Sequence, residues 1–188
     1  MKRTYFQFLF FLVCLALFQS CTKDDSYTYL SEEAKSFMLF EEGDTFQIKN
    51  VSTDEIISLT VQWKKFEMYK DNGTPGGVAF GPSSDSFVEY GECYFSDVTQ
   101  CYNGRIFLEA RNNGNFELSI YLGDCFYEYS FDFKFQNASS QTIEVSGMSY
   151  PNAYLFTSAP DNLFYSKEKG ILKIFNNFDQ TERFIIVE

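Results

Sequence analysis

The side chains that could carry chemistry here are carboxylates and thiols, because the chain of 188 residues contains no histidine. Without histidine neither a Ser–His nor a Cys–His couple can form, and the usual nitrogen ligand of zinc is absent. A pair of carboxylates could still hydrolyse a glycoside. The acids on predicted strands lie mostly on polar faces, however, so we expect no catalytic residue and no enzyme activity. These acids are Glu89, Glu92, Glu109, Glu117, Glu128 and Asp132.

The spacing of glycines and acids predicts neither a cofactor nor a metal site. The glycine-rich stretch from Gly73 to Ser86 lacks the spacing of a phosphate-binding loop, which favours a surface loop between two strands. The acids Asp71 and Asp85 lack the ligand spacing of a calcium loop. No Cys-x-x-Cys pair is present either, so zinc is not expected.

Three of the five cysteines, Cys93, Cys101 and Cys125, lie beyond the first 90 residues of the chain. Three thiols allow at most one internal disulfide bond. Cys93 and Cys101 flank the turn-prone segment YFSDVTQ, which favours a bond between these two. The alternative is three small buried side chains without any bond.

The chain begins with a predicted secretory signal peptide over residues 1–20. Lys2 and Arg3 precede an unbroken apolar run from Phe8 to Phe18, and the small Ser20 comes directly before Cys21. A run of 11 apolar residues is too short to span a bilayer, which takes about 20 residues. A buried helix at the start of a domain is the alternative reading, but every face of this run is apolar.

The sequence L-F-Q-S-C, ending at Cys21, resembles the lipobox of Bacteroidetes-type bacterial lipoproteins. Leu17, Ser20 and Cys21 match, and in such proteins the cysteine becomes the first residue and carries the lipid. The K-D-D that follows resembles their surface-export tag. The resemblance implies palmitate-type acylation of Cys21, a lipid anchor in the cell outer membrane and display on the cell surface. The tag residues are Lys23, Asp24 and Asp25.

The predicted mature chain consists of a lipidated tether, residues 21–30, and a single β domain, residues 31–188. Removal of residues 1–20 takes away Lys2 and Arg3 and no acid, so 13 of the 15 basic residues remain against 26 acids. The net charge thereby moves from −11 to −13. This acidity argues against nucleic acid as a partner, because its phosphates require clustered basic side chains.

Apolar and polar residues alternate along most of the mature chain, which is typical of antiparallel strands. The segment from Phe116 to Leu122 shows this period, as do residues 125–136 and the segment from Ile57 to Trp63. Asn113 and Gly114 favour a tight hairpin. We predict nine or ten strands between about Thr45 and Val187, arranged as an all-β meander. An up-and-down barrel and a curved two-sheet sandwich both fit this pattern.

One short N-terminal helix is predicted, with Ser31 as its N-cap and Glu32 and Glu33 in its first turn. The passage LSEEAKSFMLFEEGDTFQIKN also resembles the opening of other lipoproteins of the Bacteroidetes type. In these proteins a tether and a short helix lead into a first strand.

Aromatic residues give the main indication of function, since Tyr and Phe make up 13 and 23 of the 188 residues. Exposed rings can stack on sugars or fill the pockets of a partner. They favour a binding or accessory lipoprotein for a glycan or an envelope protein, while a barrel carrying an apolar ligand is a further reading. The alternative is a structural or assembly component of the envelope, in which rings line the core or support the sheet. The candidate binding rings are Tyr102, Tyr121, Phe126 and Tyr150.

We predict that Cys21→Ser abolishes the incorporation of a palmitate analogue, because acylation requires this thiol. The substitution should leave an unprocessed precursor or a released soluble form. Metabolic labelling followed by immunoprecipitation measures both outcomes. Cys14→Ser is the matched control, since Cys14 lies inside the apolar run. Persistent labelling of the Cys21→Ser chain would contradict the assignment.

Overall fold

The computed structural model describes residues 24–71, 85–111, 114–123, 128–134 (backbone only) and 140–187. The described residues are almost entirely antiparallel β structure, which confirms the all-β prediction. In these described residues, eleven strands lie between Thr45 and Val187 rather than nine or ten, and a short strand precedes them. The strands are β1 (Ser26–Thr28), β2 (Thr45–Asn50), β3 (Glu55–Asp71), β4 (Ser86–Ser96), β5 (Asn103–Ala110), β6 (Phe116–Gly123), β7 (Glu128–Lys134), β8 (Ser140–Val145), β9 (Met148–Ser158), β10 (Asp161–Ser166), β11 (Gly170–Asn176) and β12 (Thr181–Val187), and the helix is α1 (Glu32–Lys35).

The strands form one sheet in the order β7-β6-β5-β4-β3-β2-β12-β11-β10-β9-β8. Neighbours in this order are consecutive in the chain except β12 and β2, which pair in register from Phe184 with Asn50 to Val187 with Gln47. The sheet is open, because β7 and β8 are its two ends in the described residues. It is nevertheless curved, since Cα atoms of β7 lie within 8 Å of those of β9. An up-and-down barrel, which needs a closed ladder, is therefore not formed by the described strands.

The described residues group into two units. The first comprises residues 24–27, 70–71 and 85–87, where Ser26 N donates to Asp85 O (2.9 Å) and Tyr27 stacks on Phe87 with 5.1 Å between the ring centroids. The second comprises residues 28–69 and the described residues from 88 onward. The single domain over residues 31–188 stays a prediction.

The alternation predicted for the segment from Phe116 to Leu122 is confirmed in β6. Phe116, Leu118, Ile120 and Leu122 are buried in the core, and the residues between them are half-buried on the other face. Gly114, two residues before β6, has φ 73°, a left-handed conformation that glycine adopts without strain. Asn113 lies outside the described residues.

The N-terminal helix is confirmed as a single turn. Ser31 caps it as predicted, because its hydroxyl oxygen accepts from Ala34 N (3.1 Å), and Glu32 and Glu33 occupy the first turn. The helix leads into Phe37 and Met38, which are buried in the same core as the strands.

Residues 30–40, called the plug here, are held in the core by polar contacts at several points. The buried carboxylate of Glu89 on β4 accepts from Leu30 N (2.8 Å) and pairs with Lys35 Nζ (3.0 Å). Lys64 Nζ donates to Met38 O (2.9 Å). The Tyr165 hydroxyl donates to Phe37 O. The backbone of the plug is thus bonded to β3, β4 and β10.

Two glycines make room for the plug, because a side chain at either position would collide with its neighbours. A Cβ atom on Gly91 would lie 2.5 Å from the Phe66 ring and 2.8 Å from Met38 Sδ. A Cβ atom on Gly170 would lie 2.6 Å from the Phe40 ring, and its φ of +79° also disfavours other residues. Strands β4 and β11 therefore carry glycine where the plug approaches them.

Candidate binding face on the outer side of the sheet

The strands β4, β5 and β6 present a continuous face that points away from the core. On β4 the buried Cys93 and Phe95 alternate with half-buried Tyr94 and its neighbours, and β5 and β6 alternate in the same way. We call this side the outer face. Its members are Tyr90, Glu92 and Tyr94 on β4, Arg105, Phe107 and Glu109 on β5, and Glu117, Ser119 and Tyr121 on β6.

Trp63 on β3 belongs to the outer face, which corrects the expectation that it continues the buried series of Ile57, Leu59 and Val61. Those three are buried in the core, but the Trp63 ring stacks on Tyr94, with 5.9 Å between centroids and 23° between planes. The strict alternation of β3 is therefore lost between Val61 and Trp63. Sequence alternation alone gave no signal for this change of side.

One row of side chains crosses the outer face from strand to strand. The strand registers place Tyr94 opposite Arg105 and Arg105 opposite Tyr121. The Arg105 guanidinium carbon lies 4.8 Å from the Tyr121 ring centroid, and Trp63 stacks on Tyr94 at the other end. The row is thus Trp63, Tyr94, Arg105 and Tyr121, one side chain from each of four strands. We call it the aromatic row.

A second group of polar side chains lies beside the aromatic row. Lys65 Nζ is 3.3 Å from Glu67 Oε2 and 3.5 Å from Glu92 Oε2, and the Tyr90 hydroxyl donates to Glu67. The hydrogen bonds from Tyr90 and Lys65 hold the pKa of Glu67 below its usual value. The hydrogen bond with Glu67 raises the pKa of Lys65 and that of Tyr90. Lys65 and Glu67 are therefore both charged at neutral pH, as a pair open to solvent.

Further along the same face, two arginines bind three carboxylates. Arg105 pairs with Glu92 (3.2 Å), while Arg111 pairs with Glu109 (2.8 Å) and Glu117 (2.6 Å). The face therefore offers aromatic rings together with planar guanidinium donors and carboxylate acceptors. Such a combination can hold a hydroxyl-rich ligand by stacking and by hydrogen bonds.

The four rings singled out from the sequence do not lie together. Tyr121 lies in the aromatic row. Tyr102 is half-buried, meets Phe184 edge-on (centroids 6.4 Å apart) and donates to Glu55 Oε2 (3.2 Å). Tyr150 lies in β9 with 6% of its surface exposed, so it is a buried strand residue rather than an exposed ring. Phe126 lies outside the described residues.

Sequence reasoning missed Trp63, Tyr90 and Tyr94 as members of one face. In the segment from Tyr90 to Phe95, YGECYF, large residues with a polar group alternate with small or apolar residues. That period of two could have indicated that both tyrosines lie on the same, outward side of a strand. Of the predicted lipidation and export residues, Asp24 and Asp25 are exposed. Cys21 and Lys23 lie outside the described residues.

The predicted disulfide between Cys93 and Cys101 is wrong. Cys93 is a free thiol, whereas Cys101 is disulfide-bonded, so the two are not bonded to each other. The strand register explains this, because Cys93 pairs with Ile106 inside the β4–β5 ladder and faces the core. Cys101 lies in the turn, beyond the last pair of Ser96 with Asn103.

Comparison with protein-family models, curated proteins and solved structures finds no match to this chain. Among the described residues, no helix is long and apolar enough to cross a bilayer. The same residues contain no group of three or more acids or cysteines that could hold a metal ion.

We predict that Cys93 does not react with Ellman's reagent at pH 8 in the native chain from residue 22 onward. Only 1% of its surface is exposed, and burial raises its pKa to about 11. Unfolding without reductant should release one reactive thiol. We expect Cys125 as the partner of Cys101, because Asn103 pairs with Gly123 and each cysteine lies two residues beyond that pair. Peptide mapping under non-reducing conditions identifies the bond, and rapid native labelling of Cys93 would contradict its burial.

Proposed function

We propose that this protein is a lipoprotein of the bacterial cell outer membrane that binds a neutral glycan on its outer face. The proposed cellular location rests on residues 1–20, which resemble a signal peptide, on Cys21 and on the residues after it, which resemble an export tag. The binding role rests on one observation, the aromatic row across four strands with ion-paired side chains beside it.

The spacing of the aromatic row supports a chain-like ligand. Neighbouring strands in a sheet lie about 4.8 Å apart, so side chains from four successive strands extend over roughly 15 Å. Trp63 and Tyr121 stand near the two ends of this span. Several sugar rings in a row could lie along it, with C–H groups on the rings and hydroxyls on Arg105 and Glu92.

The charges of the outer face favour a neutral glycan over an anionic one. The three cations Lys65, Arg105 and Arg111 are all paired with carboxylates of the same face. Four acids therefore stand against three cations on the face, and the whole chain has a net charge of −11. An anionic polysaccharide would have to displace these ion pairs and approach a negative surface. The four acids are Glu67, Glu92, Glu109 and Glu117.

A structural role in the envelope is the second candidate, and one feature of the same rings favours it. The rings of the outer face are half-buried and contact each other, as in the stack of Trp63 on Tyr94 and the approach of Tyr90 to Phe107 (5.6 Å). Cross-strand ring pairs of this kind stabilise a sheet without any ligand. The two candidate functions make different predictions for substitution of the rings. Glycan binding predicts a loss of affinity for the glycan, whereas a structural role predicts only a loss of stability.

We predict that neutral polysaccharides retard the native chain in affinity gel electrophoresis, and that Trp63→Ala and Tyr121→Ala each weaken this binding about tenfold or more. A ring that stacks on the ligand contributes roughly 1–2 kcal/mol or more. The panel should contain α-glucans, β-glucans, mannans and galactans, with a uronic acid polymer as the anionic comparison.

The matched control is Phe164→Ala. Phe164 on β10 is also a half-buried ring beside a cation, with Lys173 Nζ 5.2 Å from its centroid, but it lies outside the outer face. Binding should survive this change. Thermal unfolding of each variant separates lost binding from lost folding. If no neutral polysaccharide binds while the ring variants only lower the melting temperature, the structural role is the correct one.

A further inference from the structure

Strands β9 and β10 pair over only part of their length. The ladder joins residues 154–158 of β9 to residues 161–165 of β10. Strand β9 begins well before this ladder, at Met148, whereas β10 ends at Ser166 and the chain turns into β11. Residues 148–153 therefore have β8 on one side, and in the described part of the chain no strand pairs with them on the other side. We call this second side of residues 148–153 the β9 edge.

A cleft of about 490 Å³ lies between the β9 edge and the β10–β11 turn. Four consecutive residues of β9, Met148 to Pro151, line one side of it, and Ser166, Glu168 and Lys169 line the other side. Consecutive side chains of a strand point to opposite faces of the sheet, so four residues in a row line one cleft only where it meets the edge of the strand. The volume falls in the range of roughly 300–1,000 Å³ that is usual for ligand-binding clefts.

The β8–β9 turn determines which backbone groups of β9 face the cleft. Residues 146 and 147 form a two-residue turn in which both φ angles are positive, 52° and 81°. Such a turn is closed by a hydrogen-bonded pair, here Val145 with Met148. Hydrogen-bonded and non-hydrogen-bonded pairs alternate along an antiparallel ladder, so the next pair, Glu144 with Ser149, is not hydrogen-bonded. The N–H and C=O of Ser149 therefore point away from β8 and toward the cleft.

Pro151 limits how long a strand could pair with the β9 edge. It follows the pair of Ile143 with Tyr150, so its backbone faces the cleft in the same way as that of Ser149. Its nitrogen carries no hydrogen, and proline in a sheet is confined to edges, strand starts and bulges. The N–H and C=O of Ser149 and the C=O of Pro151 remain to bond a short segment. The missing donor protects the edge from longer, nonspecific association.

The walls of the cleft are fixed by their own contacts. Tyr150 and Ser166 are buried, and the Ser166 hydroxyl accepts from Glu168 N (3.1 Å) and donates to Glu168 Oε2 (2.8 Å), which holds the β10–β11 turn. Met148 and Pro151 are exposed and offer apolar surface beside the backbone groups of the edge. An extended peptide uses this combination, because its backbone forms ladder hydrogen bonds while its side chains make apolar contacts. The preformed walls lower the entropy that is lost on binding.

We propose that this cleft binds an extended segment of another protein, which adds to the β9 edge as a short strand at Ser149. Every described strand of this chain already has its place in the sheet, and β1 pairs with β4, so the added segment comes from another molecule. The cleft lies on β9 and the β10–β11 turn, whereas the outer face lies on β3 to β6. The proposal therefore does not require glycan binding.

The test uses a phage-displayed library of random heptapeptides, selected on the immobilised full chain, and then fluorescence anisotropy with the enriched peptides in labelled, synthetic form. Ser149→Pro should weaken binding about tenfold or more, because it removes the N–H donor and places ring carbons against the peptide backbone. Ser149→Ala is the matched control. It keeps the backbone N–H, so the affinity should stay within about twofold of that of the native chain. Thermal unfolding of both variants shows that they are folded.

A second measurement changes the peptide and leaves the native chain as it is. N-methylation of one peptide amide at a time removes one donor at a time. Only the amides that face the β9 edge are bonded, so every second position should lose affinity about tenfold. A peptide that is held by its side chains alone would not show this period of two.

Trp63→Ala should leave peptide binding unchanged, which separates this proposal from glycan binding. Three results would overturn the proposal: no heptapeptide is enriched on the native chain over the Ser149→Pro chain, N-methylation has no effect with a period of two, or Trp63→Ala abolishes peptide binding and so places the peptide on the outer face. Self-association of the native chain that Ser149→Pro abolishes would also overturn it, in favour of a second copy of this chain. Analytical ultracentrifugation measures that outcome.

Discussion

The packing of Phe37 into the core is the contact on which the rest of this structure depends. Its ring lies 5.3 Å from Phe116 on β6, 5.1 Å from Tyr154 on β9 and 6.3 Å from Tyr165 on β10, measured between centroids. The β2–β12 pair divides the open sheet into two branches, β2 to β7 and β8 to β12. Strand β6 lies in the first branch, and strands β9 and β10 lie in the second. One side chain of the plug therefore connects the two branches at the place where β7 and β8, as far as the described residues extend, form no ladder.

This arrangement explains why an open sheet can remain curved. A barrel is closed by hydrogen bonds between its first and last strands, whereas here β2 and β12 pair but β7 and β8 are the free ends of the described sheet. Apolar contacts between the plug and both branches take the place of the missing ladder. The polar contacts of Glu89 and Tyr165 with the plug backbone then fix its position, because they give Leu30 N and Phe37 O hydrogen-bond partners.

With the plug at one end, the outer face stays available for other molecules. It lies on β3 to β6 and carries the aromatic row. The chain enters the second unit beside Glu89, near the start of β4, so the plug does not cover this face.

Local patterns in the sequence predicted the features that depend on local physics. The alternation of β6 and the cap at Ser31 were both predicted, because side-chain period and capping involve neighbouring residues. The position of Trp63 was not, since its side is decided by the stack on Tyr94 of another strand. The pairing of β12 with β2 and the free thiol of Cys93 likewise depend on contacts between distant residues. No local pattern in the chain reports such contacts.

The most direct test of this account is the urea unfolding of the chain from residue 22 onward with Phe37→Ala. Phe37 has no exposed surface, so we expect the free energy of unfolding to fall by about 3–5 kcal/mol, the usual range for a buried Phe→Ala change. Leu39→Ala, two residues away and partly exposed, should change it by less than about 1 kcal/mol. Equal, small effects of the two substitutions would contradict the claim that the plug joins the two branches of the sheet.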